Sequence, residues 1–214
     1  MKSSLALLSP VNQAGSSSNS GHKIVKLLAF VLFAASALIA SPAAAQMGTP
    51  GNDFVEAVKK SDGDKAIGIL DAHPSGIVDT KDGEGNTGLI IAINRSDETW
   101  TGYLLNKGAD ANLAGKGGDT PLIAAARVGL TQAVEWLVKL GAKVDATNRM
   151  GETPLIIAVQ RREAPIVRQL LDAGANPDRT DAAAGFSARD YATRDPRARD
   201  ILRMIEDKKP KPAK

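Results

Sequence analysis

The sequence predicts an all-α solenoid of helix-turn-helix units joined by short hairpin loops and preceded by a signal peptide. Three observations lead there. One sequence block returns at a fixed period from residue 85 onward, a second block closing on Gly-Ala returns in phase with it, and an apolar run stands behind a short basic segment near the N-terminus. The composition agrees: 43% of residues are hydrophobic and 24% charged, as in a chain with a core, while only 4% are aromatic. Such a core must come from small and branched aliphatic side chains packed closely, which suits helices at short distances.

The N-terminal element is an address. His22, Lys23 and Lys26 supply positive charge, and Leu27 to Ile39 form the apolar run. Pro42 ends any helix, and Ala43, Ala44 and Ala45 put small residues where a signal peptidase checks for them, so cleavage is expected between Ala45 and Gln46. Residues 1–45 are therefore read as a signal peptide with an N-terminal extension. The alternative, an uncleaved anchor, has too short an apolar run for the roughly 20 residues a bilayer needs. No twin arginine precedes the run and no cysteine follows it, which points to the Sec route without a lipid anchor. The membrane is thus met only through the signal sequence, and the location expected is periplasmic, with secretion into the medium as the alternative.

The formal charge of +3 and pI of about 9.1 belong to the ends of the chain. Residues 1–45 hold Lys2, Lys23 and Lys26 with no acid, and the last seven hold Lys208, Lys209, Lys211 and Lys214. Between them the chain is mildly acidic, and no aromatic residues interleave the tail lysines, so nucleic acid is not an expected partner.

The repeats follow. Gly85 to Ala92 (GNTGLIIA), Gly118 to Ala125 (GDTPLIAA) and Gly151 to Ala158 (GETPLIIA) are evenly spaced, and a degraded copy, Gly185 to Ala192 (GFSARDYA), begins one residue late. The second block reads YLLNKGA from Tyr103, WLVKLGA from Trp136 and QLLDAGA from Gln169, at the same period. Thr120 is placed to cap a helix through its hydroxyl, with Pro121 at the first helical position where its missing N–H has no use. Leu122, Ala125 and Ala126 make a narrow apolar face, Gly129 ends the helix, and Val134, Leu137 and Val138 give i, i+3, i+4 spacing on a second helix closed by Gly141. One such pair cannot bury both its faces, so stability comes from stacking on neighbours.

These motifs resemble the ankyrin repeat family. Thr120-Pro121-Leu122 and Thr153-Pro154-Leu155 stand at that family's TPLH signature, and the Gly-Ala pairs stand at its repeat ends. Ile90, Ile123 and Ile156 replace the usual His, Gly88 replaces Pro, and the last copy carries Ser187, Ala188 and Arg189. The expected organisation is an N-terminal capping repeat over residues 46–84, repeats over 85–117, 118–150 and 151–184, a C-terminal capping repeat over 185–207, and a disordered Lys/Pro tail over 208–214. Phe54, Val55, Val58, Ile67, Ile69 and Leu70 are expected to serve the first cap. In the last, Arg189, Asp190 and the stretch Arg197 to Arg203 are expected to face water.

Chemistry is not encoded in any motif. After cleavage His73 is the one histidine left, cysteine is absent, and no phosphate-binding loop is present. Asp79, Asp82 and Glu84 fail the spacing of a calcium loop and read as turn residues. Trp100 and Trp136 read as packing residues. No cofactor, metal or catalytic group is expected, and an enzyme is the weakest of the three functional classes.

The resemblance implies a monomeric interaction module that binds a protein along its first helices and hairpin tips. Some exported relatives of this kind accompany periplasmic enzymes, including peroxide-handling ones, and a secreted effector gripping a protein of another cell is the alternative. The candidate binding residues are Arg95, Arg127, Arg161 and Arg194, one after each helical Ala pair, with Lys116, Arg149 and Met150 at the hairpin tips. Together they are expected to form a broken positive column that suits an acidic partner surface. The competing expectation is ordinary ion pairing with Asp97, Glu163 and Asp195.

Overall fold

A computed structural model describes residues 48–73 and 76–208; the signal peptide expected over 1–45 and the tail beyond Lys208 lie outside the described residues. Among the described residues there are ten α-helices and no strands. They come as five pairs: α1 (Pro50–Lys59) with α2 (Gly63–Ala72), α3 (Gly88–Asn94) with α4 (Glu98–Asn106), α5 (Pro121–Val128) with α6 (Thr131–Lys139), α7 (Pro154–Arg161) with α8 (Ala164–Asp172), and α9 (Ala188–Arg194) with α10 (Arg199–Asp207). No helix of the described residues is long and apolar enough to cross a membrane.

A hydroxyl starts every first helix. Thr49, Thr87, Thr120, Thr153 and Ser187 each accept the N–H three residues on, and Asp190 returns a bond to the Ser187 N–H in a capping box. Pro121 and Pro154 occupy the first helical position. The odd-numbered helices α1 to α9 stack in one layer, and α4, α6, α8 and α10 stack in a second beside it. Leu122, Ile123, Ala125, Leu155, Ile156 and Ala158 fill the first layer with no exposed surface, and Val134, Leu137, Ile166 and Leu170 fill the second. Ile90, Ile123 and Ile156, standing where the family has His, are all buried, so the exchange replaces a polar group with apolar core.

The turn inside each of the first four pairs has a left-handed residue, while Asp195 in the fifth has φ of −97°. Ser61, Ser96, Gly129 and Arg162 take that place with φ of 59, 56, 76 and 60°. A glycine there is legible in the second repeat alone; serine and arginine hold the same strained conformation in the others.

Side-chain oxygens tie successive repeats together. Asp79 accepts the Asp110 N–H at 2.9 Å, Asn112 that of Lys143 at 2.8 Å, and Asp145 that of Asn176 at 3.0 Å. Asp178 is the next residue in this series, and its carboxylate takes Arg189 Nε at 2.6 Å instead. Arg189 is therefore half-buried, contrary to the expectation that it faces water; Asp190 and the arginines 197, 199 and 203 are exposed as expected. Ile67 of the first cap is also corrected, since it is 37% exposed while Phe54, Val55, Val58 and Leu70 are buried.

Candidate interaction surface

The hairpin tips are joined to one another. Asp82, Asn148 and Asp181 stand at one repeat position, and each accepts two N–H groups of its own turn. One period on from Asp82 the corresponding residue is Gly115, and the turn there is held from the preceding hairpin: Asn86 Oδ1 accepts the Lys116 N–H at 3.0 Å. A Cβ at residue 115 would lie 2.8 Å from that oxygen and 2.7 Å from Ile90 Cδ1, so a larger residue there would displace both side-chain ends. Further along, the Arg149 N–H donates to the Gly117 carbonyl at 2.9 Å, and the Ala182 N–H donates to that of Met150 at 2.8 Å. Main-chain bonds thus fix the spacing of the tips.

Electrostatics sharpen two of these turns. Burial pushes the Asp82 carboxyl up, but the Lys59 ammonium at 2.8 Å and the N–H groups of Asn86 and Glu84 hold it below the usual carboxylate value. Burial likewise opposes Asp181, whose carboxyl is held low by the Tyr191 hydroxyl at 2.6 Å and by the N–H groups of its turn. The same bond, together with burial, raises the Tyr191 phenol.

The four arginines do not form one column, and register explains why. Arg95 and Arg161 stand at the same place in their repeats, but Val128 and Asp195 hold that place in the second and last copies, where Arg127 and Arg194 stand one residue earlier. One residue turns a helical side chain by about 100°. Arg127 consequently lies between carboxylates, 3.1 Å from Asp119 and 3.7 Å from Glu152, with Asn148 bridging both acids. Arg95 reaches back to the end of α1, donating to the Val58 carbonyl at 3.0 Å and to Ser61 Oγ. There it adds a donor to last-turn carbonyls, of which that of Val58 also accepts the Ser61 N–H, and it meets the negative end of the helix dipole. Arg194 lies over the Phe186 ring with its guanidinium carbon 3.8 Å from the centroid.

The expected ion-pair partners are also corrected. Asp97 caps α4 through the Trp100 N–H. Asp195 takes Arg162 at 3.0 Å and Arg197 at 3.5 Å, and nothing in the sequence singles out Arg162 for that role. Glu163 pairs with none of the four arginines among the described residues. Lys116 bonds Glu84 at 3.0 Å across largely exposed side chains. What remains on this face is smaller than expected: Arg161 and Arg149 are exposed with no acidic group within 4.0 Å among the described residues, and Met150 is 49% exposed. Beside Met150, Ala182, Ala183 and Ala184 are exposed on the one hairpin that is a residue longer than the others.

Among the described residues no group of three or more His, Cys, Asp or Glu side chains is placed to hold a metal ion. His73 caps the end of α2 in an exposed position.

No curated protein matches the chain. A family model does: Ankyrin repeats (3 copies), over residues 44–148 and again over 89–181, together more than half of the sequence. The paired helices, hydroxyl caps and tip-to-tip hairpins are what that match describes in three dimensions, and the chain belongs to the ankyrin-repeat family.

Proposed function

We propose that this protein is exported by the Sec route and works in the periplasm as a monomeric protein-interaction module, a binding or helper protein without catalytic activity of its own. The observation that carries the interaction reading is the ankyrin array itself, whose main-chain bonds hold Arg149, Met150 and the Ala182–Ala184 tip in fixed register while Arg149 and Arg161 have no acidic partner among the described residues. Unpaired guanidinium groups beside exposed apolar side chains suit a partner that offers carboxylates around an apolar contact. Export is supported by the basic segment, the apolar run and Ala43-Ala44-Ala45.

Cell fractionation with intact-mass measurement tests the location: a chain starting at Gln46 in the periplasmic extract is expected, and a full-length chain in membranes overturns it. A photo-crosslinker placed at residue 150 tests the surface. It is expected to trap one defined protein in cells, while the same label on the second layer, at Arg168, traps none.

A further inference from the structure

The second helical layer has one junction that no ring closes. Between α2 and α4, Trp100 lies against Gly63, where a Cβ would stand 3.2 Å from the ring, and between α4 and α6, Trp136 lies against Gly102 with the same clearance. One period after Gly102 and Trp136 stand Glu135 and Gln169, so the junction of α6 and α8 receives neither a glycine nor a ring. A groove of about 310 Å³ is left there, with Glu135, Val138 and Lys139 from α6 facing Gln169, Asp172 and Ala173 from α8 and its cap.

The chain itself arrives at this groove. In the second layer α8 packs against both α6 and α10, and Lys208, just past the end of α10, sets its ammonium on the Asp172 carboxylate. The chain therefore leaves α10 within one lysine side chain of a groove wall. The residues that follow, Lys209-Pro210-Lys211-Pro212-Ala213-Lys214, interleave basic and apolar groups. A proline-rich segment advances about 3.1 Å per residue, and packed helices stand about 8–10 Å apart, so about three residues carry it from α8 to α6. Proline brings no N–H that would go unpaired against the aliphatic surface of Val138 and Ala173. Basic groups beside it find acceptors at the rim: one Glu135 oxygen pairs with Lys139 at 2.5 Å, while the other takes only Gln132 at 3.3 Å.

We propose that the segment after Lys208 folds back over the second layer and seats Pro210 and Pro212 in the groove between α6 and α8, held by Lys208 on Asp172 and by Lys211 on Glu135. Exposed ion pairs contribute little alone. Tethering supplies the rest, because a segment held a few residues from its site has an effective concentration of about a millimolar, and a weak contact is then well occupied. The docked segment takes the place that Trp136 takes at the junction before. It does not depend on the arginine-bearing face or on export.

The sequence has no cysteine, so Lys214→Cys accepts a single nitroxide label beyond the docked prolines. In the isotope-labelled chain, paramagnetic broadening is expected at the Val138 methyls and the Ala173 amide, and much less at Gly102, whose junction Trp136 fills. Pro210→Ser with Pro212→Ser, which leaves the helical array untouched, should lose the broadening at Val138, and Asp172→Ala should weaken it. Arg149→Glu with Arg161→Glu should leave it unchanged, which separates this contact from the proposed interaction face. A mixture of isotope-labelled chain without nitroxide and nitroxide-bearing chain without isotope should show none. Equal broadening at Val138 and Gly102, or broadening at Val138 that survives the proline substitutions, overturns the proposal. So does broadening that appears in the mixture, since a second copy would then supply the segment.

Discussion

Asp145 Oδ1 accepts the main-chain N–H of Asn176 at 3.0 Å, a bond that joins one repeat to the next across 31 residues of chain. Asn112 makes the same bond to Lys143 with an amide oxygen. Only an acceptor is needed at this position. Asp145→Asn should therefore stay within about 0.5 kcal/mol of the parent, whereas Asp145→Ala should lose about 1 kcal/mol or more, since it leaves an N–H without its partner. Denaturant melts of the two variants decide between an acceptor role and a charge role.

Burial sets a second contrast on a single helix and its cap. Leu137 has no exposed surface, and Leu140, three residues on, is 56% exposed. Leu137→Ala should cost about 2–5 kcal/mol through lost burial and the cavity left behind, and Leu140→Ala less than about 0.5 kcal/mol. Equal losses in denaturant unfolding would contradict the register of the second layer.

Two glycines should respond to alanine with opposite signs. Gly129 has φ of 76° at the turn between α5 and α6, and a side chain there is strained, so Gly129→Ala should destabilise by about 1 kcal/mol or more. Gly68 is exposed inside α2 with nothing within 4 Å of an added Cβ, so Gly68→Ala should stabilise by about 0.5–1 kcal/mol. Thermal melts of both read the signs directly.

The low-lying carboxyl of Asp181 makes stability sensitive to acid. Its folded value lies below its unfolded one despite burial, because Tyr191 and the N–H groups of its turn bond the charged form. Its contribution is therefore fully present above the ordinary carboxylate value of about 3.9 and is lost as pH falls through the lower folded value. Asp82, held low by Lys59, acts in the same direction. Thermal melts between neutral pH and about pH 2 should show a steeper acid decline for the parent than for Asp181→Asn, which retains a turn acceptor without a charge to protonate.

The period, the helix pairs and the hydroxyl caps were legible because each rests on residues within a few positions of one another, as Thr120 with Pro121 and Gly129 shows. The Asx series at 79, 112, 145 and 178 was also present in the sequence as one acceptor at a constant place in each repeat, a signal that alignment of the repeats exposes. The fate of the arginines was not legible. Arg95 and Arg194 are consumed by groups on neighbouring turns, and the one-residue offset of Arg127 places it between Asp119 and Glu152. Arg162 was missed because a left-handed arginine in the turn between α7 and α8 looks, in sequence, like any helix residue.

The partner surface is the central claim, and calorimetry tests it most directly. The protein trapped through residue 150 is titrated with the purified chain and with its Arg149→Glu, Arg161→Glu variant. The account predicts that affinity falls by at least about tenfold, that added salt weakens the parent complex more than the variant's, and that the variant's melting curve is unchanged, because neither arginine has an acidic partner among the described residues to lose. Unaltered affinity in the doubly substituted protein would contradict it and move the interface away from the hairpin tips.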